Sequence, residues 1–122
     1  MFAIEVSGEF CASHQLRLPG GGLESLHGHN WRVQVRVGSP QLDGLETVMD
    51  FHVLEKALAG ILAAFNHRHL NDIPPFDAGY NPSAERVAQR IAELLVPHIA
   101  PPARLMHVKV SEAAGCYALF LP

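Results

Sequence analysis

Three histidines carry the strongest chemical signal in this chain. His27 and His29 flank a single glycine, and His14 lies upstream in a stretch of similar β character. Residues two apart on a strand share a face, so His27 and His29 point the same way. A lone histidine is usually a satisfied core or surface group. Three on the buried sides of two adjacent strands are another matter, because polar rings without partners are costly to bury. A shared metal ion removes that cost. Three neutral imidazoles leave a fourth position to water or substrate, the arrangement of a catalytic zinc rather than a structural one. Nitrogen-only donors suit zinc, and iron, nickel or copper are also compatible.

Other residues add acid–base and binding chemistry. Glu112 follows Met106, Val108 and Val110 at even positions, so the period of two turns its carboxylate toward the buried face. There it is either an exposed strand end or an anchor taking two parallel hydrogen bonds from an amino-substituted nitrogen heterocycle. Glu24 stands three residues before His27, on the loop entering that strand. Beside a metal site it is placed to act as a general base. His67 and His69 sit in a polar segment with Asn66, Arg68 and Asn71, and either can shuttle protons. Cys11 is on the outward parity of the first strand and Cys116 opens the last, where packing is the simpler role. The Gly20-Gly21-Gly22 run lacks the lysine of a phosphate loop and reads as a flexible loop over the site.

The elements that must position these groups follow from periodicity. Phe2, Ile4, Val6, Phe10, Ala12, His14, Leu16 and Leu18 alternate as one face of a strand, with Gly8-Glu9 marking a bulge or twist. Pro19 to Gly22 ends it. A second strand runs from about His27 to Val37, with His27, His29, Trp31, Val33, Val35 and Val37 inward. Asp50 is an N-cap for a helix carrying Leu54, Leu58, Ile61, Leu62 and Phe65 at helical spacing. Asn66 to Tyr80 is irregular. Asn81-Pro82 predicts the cap and first position of a second helix, with Val87, Ile91, Leu94 and Leu95, ending near Pro97. Strands over Met106 to Glu112 and Cys116 to Leu121 complete the order ββααββ. The expectation is an α+β domain over 1–122: a four-stranded antiparallel sheet with two helices on one face.

Composition narrows the classes. The 122 residues carry a formal net charge of −3 without a basic run, which argues against a nucleic-acid surface. No stretch of about 18 uninterrupted apolar residues exists to span a membrane. The N-terminus opens directly into strand pattern rather than a signal peptide. Two cysteines make no disulfide framework, so reduced thiols in a cytoplasmic protein are expected.

Taken in order, several segments resemble the 6-pyruvoyltetrahydropterin synthase and 6-carboxytetrahydropterin synthase family. They are Phe10 to His14, His27-Gly28-His29-Asn30-Trp31, Met49-Asp50-Phe51, His67 to Asn71, Asn81 to Glu85 and Glu112 to Cys116. The resemblance spans essentially the whole chain. It implies the tunnelling fold, in which ββααββ subunits join their sheets into barrels, usually as a homohexamer of two trimers. It further implies zinc on His14, His27 and His29, a pterin ring held by Glu112, and His67 as catalytic acid or base.

Two positions depart from the synthases. Where they carry a cysteine base, four residues before the first histidine of His-Gly-His, this chain has Leu23, followed by Glu24. That resembles paralogues linked to folate synthesis, in which glutamate replaces the cysteine. Where an aspartate precedes the catalytic histidine, this chain has Asn66, which can orient His67 but cannot stabilise its cation by charge. The resemblance therefore implies a zinc-dependent lyase converting a dihydroneopterin compound to 6-hydroxymethyl-7,8-dihydropterin, with Glu24 and His67 catalytic. Two rivals stay open. One is a 6-carboxytetrahydropterin or 6-pyruvoyltetrahydropterin synthase acting on dihydroneopterin triphosphate. The other is a non-catalytic pterin- or zinc-binding module.

Overall fold

The computed structural model describes all residues, 1–122. The two long alternating stretches form β1 (Phe2–His14) and β2 (His27–Ser39), paired antiparallel from Phe2 opposite Ser39 to His14 opposite His27. That pairing is uninterrupted, so Gly8-Glu9 is not a bulge. Gly8 answers a packing demand instead. A Cβ there would stand 2.8 Å from Leu62 Cδ1, so the missing side chain lets a helix lie close on the strand.

That helix is α1 (Phe51–Phe65). It is capped as expected, with the Asp50 carboxylate accepting from the His52 N–H at 2.8 Å. Its Leu54, Leu58, Leu62 and Phe65 are buried. The second helix, α2 (Ala84–Leu95), buries Val87, Ala88, Ile91, Ala92 and Leu95. It begins later than Asn81-Pro82 predicts. Ser83 is the cap, its hydroxyl accepting from the Arg86 N–H, while the Asn81 amide is engaged elsewhere.

The sheet has five strands, not four. Its order is β3-β1-β2-β4-β5, with β4 at Arg104–Ala113 and β5 at Cys116–Phe120. The added strand, β3 (Arg68–His69), lies parallel to β1 at Ala12 and Ser13. A two-residue strand has no periodicity to read, and only the return of the chain from α1 along the β1 edge creates it. Both helices cover one face, and 24 buried apolar residues form one core cluster between them and the sheet. The α+β architecture holds.

One irregularity bears on the site. The β4–β5 register shifts between Ser111 and Ala113, leaving Glu112 outside the regular ladder. Such an irregularity re-aims a side chain.

Candidate metal centre and active site

Strand register builds the centre. His14 sits directly opposite His27, and Ala12 opposite His29, so the three imidazoles converge on the helix-facing side at one end of β1 and β2. Ring centroids are 4.5 Å apart for His14–His27, 4.8 Å for His27–His29 and 5.2 Å for His14–His29. One nitrogen from each lies within 4.8 Å of the others. Trp31 forms the floor. Wholly buried, it meets His14 and His29 edge-on, stacks on Phe10 at 5.5 Å and donates its indole N–H to the Ala12 carbonyl at 3.1 Å.

The donor set fits a single ion. His14 Nδ1 lies 2.8 Å from the Pro82 carbonyl and His27 Nδ1 lies 2.8 Å from the Ser25 carbonyl. A carbonyl only accepts, so each Nδ1 carries the proton and each Nε2 offers a lone pair. Anchoring the far nitrogen in this way is how metal-ligating histidines are oriented. The Nε2 atoms of His14 and His29 are buried without any hydrogen-bond partner. Buried polar atoms rarely go unsatisfied, and a cation shared with His27 would satisfy both. Burial, reinforced by the neighbouring histidines and opposed by Glu112, holds His29 below the ordinary imidazole range, favouring its neutral form.

Supporting contacts missed by sequence reasoning come from two asparagines. Asn71 accepts from the Gln15 N–H at 2.9 Å and donates to the Gln15 carbonyl at 2.7 Å. Asn81 does the same for Arg17, at 2.6 and 3.1 Å. Each amide stands in for a strand partner along the segment leaving His14. The Arg17 guanidinium also donates to the carbonyls of Phe76 and Tyr80. The loop that brings the Pro82 carbonyl to His14 is therefore clamped. The preference of asparagine for bonding backbone was the only signal available in the sequence.

Two carboxylates flank the triad. Glu24 Oε1 is 3.8 Å from His27 Nε2 and accepts from the Leu16 N–H at 2.9 Å. Its backbone is tied down as well, its N–H donating to the Leu16 carbonyl and its carbonyl accepting from the Gln15 side chain. Glu112 Oε1 is 3.7 Å from His14 Nε2, and its Oε2 is 3.5 Å from His29 Nε2. A cavity of about 460 Å³ opens beside Glu112 and His29, lined also by Asn30, Arg32 and Tyr117 among others, and does not reach Glu24. That volume suits a small heterocycle.

His67 stands apart. It lies level with Cys11, about 10 Å along β1 from His14 by strand rise. Its side chain is exposed at the sheet edge. The backbone there is held in place. The His67 N–H donates to the Cys11 carbonyl at 2.6 Å, and the Asn66 side chain accepts from the Cys11 N–H at 2.9 Å. His67 has φ of 59°, a left-handed conformation that a non-glycine residue keeps only where its surroundings impose it. The single chain thus joins His14, His27, His29, Glu24 and Glu112, and leaves His67 outside.

The family model described as 6-pyruvoyl tetrahydropterin synthase covers residues 3–121. The chain belongs to the 6-pyruvoyl tetrahydropterin synthase family. A dihydroneopterin monophosphate aldolase from Pyrococcus furiosus is 30% identical over 103 residues, 84% of this chain and 82% of the relative. A 6-carboxy-5,6,7,8-tetrahydropterin synthase from Helicobacter pylori is 30% identical over 63 residues, which cover 50% of this chain and only 32% of the relative's length. The fold is that of the 6-pyruvoyl tetrahydropterin synthase from Caenorhabditis elegans, with a TM-score of 0.81 at 23% identity over 99% of this chain and 95% of that one. A Plasmodium vivax 6-pyruvoyltetrahydropterin synthase, solved with a catalytic glutamate changed to alanine, gives a TM-score of 0.75 at 20% identity, covering 98% of both chains. In this family member no helix is long and apolar enough to cross a membrane, and both cysteines are free.

Proposed function

We propose that this protein is a zinc-dependent pterin side-chain lyase that converts a dihydroneopterin compound to 6-hydroxymethyl-7,8-dihydropterin. The observation that carries the reading is Glu24, anchored by the Leu16 N–H with its carboxylate at the rim of the triad. Two relatives support it. One is named a dihydroneopterin monophosphate aldolase, and another has a glutamate as its catalytic residue.

His14, His27 and His29 would hold the zinc, which when bound supplies Lewis acidity that lowers the pKa of the substrate's side-chain hydroxyls. Glu112 accepts the paired N–H donors of the pterin ring and fixes it in the adjoining cavity, so that the reacting carbons lie beside the triad. Glu24 takes the proton of the hydroxyl on the second side-chain carbon. The bond between the first two side-chain carbons then breaks as in a retro-aldol step. The second carbon leaves as an aldehyde, the electron pair passes into the ring, and the first carbon is reprotonated, with His67 as donor. Trp31 and the buried faces of His14 and His29 keep water from the floor of the site.

His67 reaches a triad only through assembly. The outer edge of β1 pairs with no strand before Cys11, β5 is unpaired on its outer side, and Phe2, Tyr117, Leu119 and Leu121 are exposed nearby. Unpaired edges favour joining of sheets between copies. We infer a homo-oligomer, a hexamer by family resemblance, with His67 of one copy serving a neighbouring site.

Incubating metal-loaded protein with dihydroneopterin, its monophosphate and its triphosphate, and identifying the products, tests the reading. 6-Hydroxymethyl-7,8-dihydropterin with the matching two-carbon aldehyde, glycolaldehyde or its phosphorylated form, is expected. A 6-carboxytetrahydropterin product would support the second reading, which the Helicobacter pylori relative favours and Leu23 at the cysteine position opposes. Tight pterin binding without turnover would indicate a binding module.

A further inference from the structure

Glu112 faces the wrong way for a residue that only holds a heterocycle. Its carboxylate meets no hydrogen-bond donor, and its two oxygens address His14 Nε2 at 3.7 Å and His29 Nε2 at 3.5 Å. These are the same two nitrogens that are buried without partners. The separations fall outside good hydrogen-bond geometry. They lie near the spacing that two donors keep on a shared ion, since metal–ligand distances of about 2.0–2.1 Å put tetrahedral ligands roughly 3.3 Å apart. Glu24, the other candidate, is already committed, because its Oε1 is held by the Leu16 N–H. Glu112 is also the residue that the register shift of β4 against β5 releases from the ladder, and it lines the cavity beside His29.

The geometry points to Glu112 as a gate: in the absence of pterin its carboxylate is the fourth protein donor to the ion held by His14, His27 and His29, and it leaves that position when a pterin ring engages it. This rests on the proposed function, in which the triad binds metal and Glu112 anchors the ring. One carboxylate cannot serve both partners fully, because each requires its lone pairs. The gate therefore couples exposure of the metal to arrival of the ring. Small anions and water are kept from the fourth position until the ring's paired N–H donors draw Glu112 away. The recognised feature is the ring rather than its side chain.

Cobalt(II) loaded in place of zinc tests this, because its visible absorption reports coordination. Three proteins are compared: wild type, Glu112→Ala and the shape-conserving Glu112→Gln. Cobalt affinity is measured by chelator competition, and azide response with and without 2-amino-4-oxopteridine, a pterin lacking any side chain. Azide is expected to leave the wild-type spectrum unchanged until the pterin is added. Both variants should respond to azide without it and bind cobalt at least about tenfold more weakly. Wild-type protein responding to azide equally with and without the pterin would overturn the gate, and that measurement decides the matter even if the variants do not fold. His29→Ala separates the two levels of argument. If it binds cobalt like wild type, the triad itself is misassigned. If it loses cobalt while the Glu112 variants match wild type in affinity and azide response, only the gate fails.

Discussion

Replacing Glu24 by glutamine separates the two jobs that its carboxylate performs. Glutamine keeps an oxygen able to accept the Leu16 N–H at the 2.9 Å position, so the loop stays tied to the end of β1. Exchanging a charged acceptor for a neutral one there costs on the order of 1 kcal/mol of stability. What glutamine cannot do at neutral pH is take a proton. Loss of a general base lowers the rate by roughly 10²–10⁴, which is about 2.7–5.5 kcal/mol in the barrier at 1.36 kcal/mol per decade. The catalytic effect should therefore exceed the structural one severalfold. Glu24→Ala removes both functions and should add a clear loss of stability to the loss of rate. The assay is single-turnover conversion of dihydroneopterin and its monophosphate, with metal content, pterin affinity and melting temperature measured on the same preparations. Turnover at the wild-type rate in the glutamine variant, with metal and pterin bound, would refute the assignment of Glu24 as the base.

His29→Ala should abolish stoichiometric metal binding together with activity, and elemental analysis showing full occupancy would remove His29 from the ligand set. Asn81→Ala strips the Arg17 backbone of both partners and should cost roughly 1–3 kcal/mol, seen as a drop of several degrees in Tm. Burial, with the Arg36 cation adding to it, holds His107 below the ordinary imidazole range. The folded state thus favours neutral His107, and its contribution is intact above an unfolded pKa of about 6.5 and lost as pH falls through the lower folded value. His107→Gln should flatten that part of the stability–pH curve, and an unchanged curve from denaturant titrations would contradict the assignment. The unpaired edges of β1 and β5 predict an assembly larger than a monomer, which light scattering at micromolar concentration checks.

The amino-acid sequence alone determined which residues share a face. A period of two in Phe2 to His14 and His27 to Val37 places His14, His27 and His29 on the buried side, whereas the aim of Glu112 depends also on the register shift between β4 and β5. The two helices were legible for the same reason, since their apolar stripes lie within single segments. Tertiary structure decided everything that depends on segments meeting. The Pro82 carbonyl reaches His14 across 68 residues, and Asn81, which reads locally as a helix cap, leaves that task to Ser83 in order to hold Arg17. The strand at Arg68–His69 exists only because the chain returns along the edge of β1, and that edge position keeps His67 from the triad of its own chain. Hydrophobic periodicity is a property of one element and its burial. A side-chain amide or carboxylate finds its backbone partner only once the elements have docked, so the contacts of Glu24, Asn71 and Asn81 leave no periodic trace.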